Sequence, residues 1–129
     1  MQRKLPHITP ETEMTTAISE LQKFKLLGAP VFDDNKSLVG FISEQELLQP
    51  LMQNSYFCDG VVKVKQLMRT DVVTVSSDQN IIELADGMQT GKPKNYPVIE
   101  DGKVVGMISR GDVLKALYEN YVSCQEHQV

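Results

Sequence analysis

The chain has 129 residues, of which 41% are hydrophobic and 23% charged, and a net charge of −4. That balance argues against a general binder of nucleic-acid duplexes, which needs a clustered basic surface to neutralise phosphates. No apolar run approaches the ~20 residues that span a bilayer. Met1-Gln2-Arg3-Lys4 is followed by Pro6 and His7 rather than a signal-peptide core, so a cytoplasmic protein without membrane contact is expected.

In chain order, Ile8-Thr9 reads as a short β segment. Met14, Ala17, Ile18, Leu21 and Phe24 then recur with the 3.6-residue period of a helix packed on one face. Ala29-Pro30-Val31-Phe32-Asp33-Asp34 leads to Leu38-Val39-Gly40-Phe41-Ile42-Ser43, a β-hairpin pattern, and Leu47, Leu48, Leu51 and Met52 mark a closing helix. Pro50 is expected to kink that helix, because it lacks an N–H and its ring crowds the preceding turn. The segment from Val62 to Met68 is too apolar for a free tether.

The same order then returns. Val72-Val73-Thr74-Val75 reads as β, and Ile81, Leu84, Ala85 and Met88 as a helix ended by Gly91-Lys92-Pro93. Tyr96-Pro97-Val98-Ile99-Glu100-Asp101 leads to Val104-Val105-Gly106-Met107-Ile108-Ser109, and Val113, Leu114, Leu117 and Tyr118 close the chain. Pro97 follows Pro30 by 67 residues and Gly106 follows Gly40 by 66. The missing residue falls in the turn, where Asp101-Gly102 is a strong two-residue hairpin signal. Cys58 and Cys124 are also 66 apart. Duplication explains them without chemistry, and they have no CxxC or metal spacing, so reduced thiols are expected. His7 and His127 stand in no acidic or cysteine cluster, so no metal site is expected.

One repeat of this size buries little core and is marginal alone. The expected fold is therefore mixed α/β (α+β), with two βαββα repeats, residues 1–61 and 62–129. Their sheets are expected to pack on each other with pseudo-twofold symmetry.

The residues from Gln66-Leu67-Met68 through Val73-Thr74-Val75 and Tyr96-Pro97-Val98 to Gly106-Met107-Ile108-Ser109-Arg110-Gly111-Asp112-Val113-Leu114 resemble the CBS (cystathionine-β-synthase) domain family, whose members occur in pairs called Bateman modules. The resemblance covers nearly the whole chain. It implies binding of an adenosine-containing ligand (AMP, ADP, ATP or S-adenosylmethionine) in a cleft between repeats, with the binding state passed to an effector protein. It implies association of two modules, hence a homodimer. It also implies a ribose-binding role for Asp112, with Ser109 beside it, Arg110 towards the phosphates, Val75, Tyr96 and Pro97 at the adenine slot, and Thr74 as a neighbouring polar contact. A carboxylate on the first turn of a helix suits that role, since the helix N-terminus also supplies N–H groups and positive potential for phosphate.

Ser109-x-x-Asp112 is equally the pattern of a capping box, and Ser43-x-x-Glu46 fits that pattern with its usual acid. Glutamate is one methylene longer, and Glu44 stands where Arg110 stands in the second repeat, so the first site departs from the family pattern. Lys92 and Lys94 read as solvated loop residues, and Tyr96 as either a stacking ring or a half-buried strand tyrosine. No nucleophile–His–acid set, metal cluster or nucleotide-hydrolysing motif is present, so catalysis is not expected. The leading reading is a non-catalytic nucleotide sensor. The alternative is a ligand-free structural or adaptor module that binds protein.

Overall fold

Hydrophobic periodicity and hairpin chemistry build ten elements in the computed structural model, which describes residues 1–57, 60–89 and 91–126. They are α1 (Met14–Phe24), β1 (Gly28–Phe32), β2 (Leu38–Ser43), α2 (Glu44–Phe57), a 3₁₀ turn (Val64–Gln66), β3 (Val75–Ser76), α3 (Ile81–Gly87), β4 (Asn95–Glu100), β5 (Lys103–Ser109) and α4 (Arg110–Glu126). The fold is mixed α/β. The chain forms two units: Lys4–Val73, and Thr74–Val129 joined by Met1–Arg3. Each repeat thus hands a short segment to the unit of the other.

In the first unit, Met14, Ala17 and Leu21 bury one face of α1 as their spacing predicts. The helix ends with Lys25 in the left-handed region (φ 56) and a hydrogen bond from the Leu26 N–H to the Leu21 carbonyl, a Schellman stop. β1 and β2 pair antiparallel, with Pro30 opposite Phe41. Phe41 turns its own N–H and C=O outward to exchange two 2.8 Å hydrogen bonds with Arg69. Pro30 therefore sits at a pair that asks no ladder hydrogen bond of it, the tolerated place for a strand proline. The connecting segment is docked as its apolar character predicts: Val64 is buried, and its N–H donates to the Thr12 carbonyl at 2.8 Å.

The second unit repeats this design. β4 lies between β5, antiparallel, and β3, parallel. Asp101 and Gly102 form the tight turn with positive φ at both positions (51° and 76°), as Asp-Gly predicts. Pro97 faces Met107, and Met107 exchanges hydrogen bonds of 2.9 and 2.8 Å with Gln2, a residue from the start of the chain. Gly106 is required there: a Cβ would lie 2.7 Å from the Gln2 carbonyl oxygen. At Gly40 a Cβ would lie 2.9 Å from the Arg69 carbonyl oxygen. The glycine shared by the two repeats is thus a notch for the incoming segment.

Several expectations need correction. Ile8-Thr9 forms no strand; its ladder contact is one hydrogen bond from the Phe32 N–H to the Ile8 carbonyl. In the second unit the Ser77 N–H continues the ladder by donating to the Ile99 carbonyl. Its counterpart, Pro10, has no N–H to donate. Of Val72–Val75, only Val75 enters β3. α3 stops at Gly87, before Gly91-Lys92-Pro93, and Met88 turns into the core of the second unit. α2 runs on through Pro50. Among the described residues of the closing helices, Leu47 and Val113 are buried and Leu117 packs at the core edge, whereas Leu48, Leu51, Met52, Leu114 and Tyr118 are exposed. Of the cysteines, Cys124 is a free, exposed thiol. Cys58 lies outside the described residues.

Candidate functional site

The second unit gathers the expected site residues at one end of its sheet. Val75 pairs with Val98, so Thr74, one residue earlier, is level with Pro97. Asn95 faces Ser109, Tyr96 faces Ile108, and the chain then enters α4 at Arg110. The Arg110 N–H donates to the Lys94 carbonyl at 3.0 Å, fixing the helix start against the loop before β4.

Strand alternation divides these residues between two faces. Val75, Tyr96 and Ile108 face the helices, in a core with Met88, Leu84 and Val113. Thr74, Asn95, Pro97 and Ser109 fall on the opposite face. Tyr96 is therefore a core residue, 1% exposed, rather than an open stacking ring. Burial pushes its phenol pKa up, and the nearby Arg110 charge partly opposes that rise. Its hydroxyl reaches the Gly87 carbonyl at 3.5 Å.

Ser109 and Asp112 do form a capping box. The Ser109 N–H donates to Asp112 Oδ2 at 3.0 Å, and the Asp112 N–H donates to Ser109 Oγ at 3.1 Å. Among the described residues no donor reaches Asp112 Oδ1, and the residue is exposed. The cap thus occupies one carboxylate oxygen and leaves the other open beside the first turn of α4. The Arg110 guanidinium is exposed on the same turn.

The corresponding end of the first unit is built differently. Glu46 Oε1 accepts both the Ser43 N–H at 3.1 Å and the Ser43 hydroxyl at 2.9 Å. Both acids in the first turn of α2, Glu44 and Glu46, add negative charge where α4 has an arginine and an aspartate. The Phe41 ring also packs over Gly28, where an added Cβ would meet it at 2.6 Å. That arrangement favours neither ribose nor phosphate.

A shallow depression of about 470 Å³ runs along β3 to the β4–β5 turn; of the expected site residues it takes in Thr74 and Val75, and Ser76, Asp78, Glu100 and Asp101 complete most of its lining. Tyr96, Pro97, Ser109, Arg110 and Asp112 do not line it, and its acidic lining suits no anion. Among the described residues, no three His, Cys, Asp or Glu side chains form a metal-holding group, and no helix is long and apolar enough to cross a membrane.

The sequence pattern of the CBS domain family matches residues 1–52 and 64–119. The chain belongs to the CBS domain family. It is 30% identical over 123 residues to the methylated protein MJ0556 of Methanocaldococcus jannaschii, a match covering 88% of this chain and 68% of that protein. It is 27% identical to inosine-5′-monophosphate dehydrogenase of the same organism over 84% of this chain, yet spans 21% of that enzyme's length. Among solved structures, CBSX2 of Arabidopsis thaliana in complex with AMP superimposes with a TM-score of 0.73 at 30% identity, covering 92% of this chain and 90% of that one.

Proposed function

We propose that this CBS pair is a non-catalytic sensor that binds one adenosine-containing nucleotide, with AMP the leading candidate, at the sheet end of its second unit. The observation that carries this reading is the open Oδ1 of Asp112, on the first turn of α4 beside Arg110. A carboxylate with a free oxygen accepts from ribose hydroxyls, while the helix N-terminus and Arg110 favour phosphate. Thr74, Pro97 and Ser109 line the same face, and Val75 and Tyr96 support it from the core. The AMP complex of CBSX2, a close structural match, supports the choice of nucleotide.

Titration with AMP, ADP, ATP, S-adenosylmethionine and 2′-deoxy-AMP tests the reading. AMP binding that weakens when the 2′-hydroxyl is removed supports it. Silence across the panel overturns it, and steady turnover of the bound nucleotide overturns its non-catalytic part.

The sensor reading includes a homodimer and an effector protein that reads the bound state. Exposed apolar side chains on α2 (Leu48, Leu51, Met52) and on α4 (Leu114, Tyr118, Tyr121) support association. Sedimentation showing only monomer at micromolar concentration counts against the dimer. The free thiol of Cys124 fits a cytoplasmic, reducing setting. The acidic, ring-filled end of the first unit favours a second reading, a ligand-free adaptor that uses the same apolar faces. Nucleotide silence together with retained association is its signature.

A further inference from the structure

The N–H groups of Ser109, Arg110, Gly111 and Asp112 open α4, and as at every helix start they have no acceptor inside the helix. Three of them find one elsewhere. The Ser109 N–H donates to Asp112 Oδ2 at 3.0 Å, the Arg110 N–H to the Lys94 carbonyl at 3.0 Å, and the Asp112 N–H to Ser109 Oγ at 3.1 Å. Among the described residues no acceptor meets the N–H of Gly111, an exposed residue. The fold does not ask for glycine at this position. Its φ is not positive, and a Cβ built there would make an ordinary contact, 3.6 Å from Ser109 Oγ. Alanine would fit and would favour the helix. The same contact says where a side chain would stand: on the side of the Ser109 hydroxyl, which is bonded to the Asp112 N–H. In the first repeat Gln45 holds the matching position.

A glycine that the backbone does not need is free to serve the close approach of a ligand to the main chain. Helix N-termini attract anions through just such N–H groups. We propose that Gly111 is the specificity-determining residue for the 5′-phosphate of the nucleotide: its N–H donates to a phosphate oxygen, and the missing side chain leaves the approach clear. The inference rests on the nucleotide reading above and adds the choice of a nucleotide over its nucleoside. Asp112 holds the sugar, and Gly111 reads what the sugar carries.

Calorimetric titration of the wild type and of Gly111→Ala with AMP and with adenosine tests this. The wild type is expected to bind AMP about tenfold more tightly than adenosine or better, because hydrogen bonds to a charged acceptor are the strong ones. Gly111→Ala is expected to lose about tenfold in AMP affinity, to keep its affinity for adenosine, and to melt no lower than the wild type. In amide NMR spectra of the wild type, AMP should move the Gly111 N–H proton downfield and adenosine should not. That measurement needs no variant, so it decides even if Gly111→Ala folds poorly. The assignment of Gly111 is overturned, while the nucleotide site stands, by any of three results: a wild type that binds AMP and adenosine equally, a Gly111→Ala protein that keeps its AMP affinity or loses both ligands alike, or a Gly111 amide that responds to both in the same way. If the wild type binds neither, the nucleotide reading falls and the assignment with it.

Discussion

At the sheet end of the second unit stand Asn95, Tyr96, Ser109, Arg110 and Asp112; at the matching end of the first stand Gly28, Ala29, Ser43, Glu44 and Glu46. The ladders are alike, with a proline opposite the residue that receives a borrowed segment, and a glycine notch beside it. The ends differ in charge, in volume and in the direction of one hydrogen bond. Ser109 Oγ accepts from the helix N–H of Asp112, whereas the Ser43 hydroxyl donates to the Glu46 side chain. Duplication preserved the features that fold the chain and let the helix starts drift apart. The ladder is what the two units share, and the helix start is where they differ.

The largest effect expected from breaking this contrast is at Asp112. Each hydrogen bond to a charged group contributes about 1.5–3 kcal/mol, so Asp112→Ala should weaken AMP binding roughly tenfold to a hundredfold, measured by calorimetry. Glu46→Ala in the first unit should leave AMP affinity unchanged. Equal losses from the two substitutions would show that both ends bind.

The notches come next. Gly106→Ala sets a Cβ 2.7 Å from the Gln2 carbonyl oxygen, and Gly40→Ala sets one 2.9 Å from that of Arg69. Overpacking of this kind typically costs about 1–3 kcal/mol. Thermal melts should show both variants destabilised, and amide exchange should speed at Met107 in the first and at Phe41 in the second. A variant as stable as wild type would mean that the borrowed segments add little to their sheets.

The two serines give a smaller difference. Ser109→Ala removes a true helix N-cap, a loss of about 0.5–2 kcal/mol. Ser43→Ala removes a hydroxyl that bonds a side chain instead, so its melting temperature should fall less. Equal falls would mean that the two caps are equivalent in solution.

How much of this was legible in the sequence follows from which forces act locally. The helix faces of α1 and α3, the Asp-Gly turn and the Ser109–Asp112 capping box depend on near neighbours, and the spacing of Met14, Ala17 and Leu21 or of Ser109 and Asp112 showed them. The missing first strand was only half visible: Pro10 is plain in the sequence, but its consequence requires knowing that Ser77 makes the corresponding bond. The borrowed segments were not legible, because nothing local at Gln2 says that it pairs with Met107. The periodicity of Val113, Leu114, Leu117 and Tyr118 marked a helix without saying which of them face the core, and Leu114 and Tyr118 are 69% and 65% exposed.

The smallest effect sharpens the contrast from another side. In the first unit, hydrogen bonds from Lys63 at 2.7 Å and Lys65 at 2.9 Å, with their charges, lower the Glu11 pKa to about 2. The second unit has Asp78 at the matching position, with no such pair of lysines among the described residues. A depressed carboxylate pKa gives stability that is present above the ordinary value near 4.5 and is lost as pH falls towards 2. Glu11→Gln should therefore lower the melting temperature slightly at pH 7, and less in high salt because the pair is exposed. The difference from wild type should close below pH 2. A gap that persists there would point to packing rather than charge.

The most direct test is a calorimetric titration of the intact chain with AMP, repeated on Asp112→Glu. The expected result is one AMP per chain, with Asp112→Glu keeping the wild-type melting temperature while its affinity falls tenfold or more, since the longer acid can still cap the helix but is misplaced at the ribose. Two AMP molecules per chain, or an Asp112→Glu protein that binds as tightly as wild type, would contradict the division of labour between the two units.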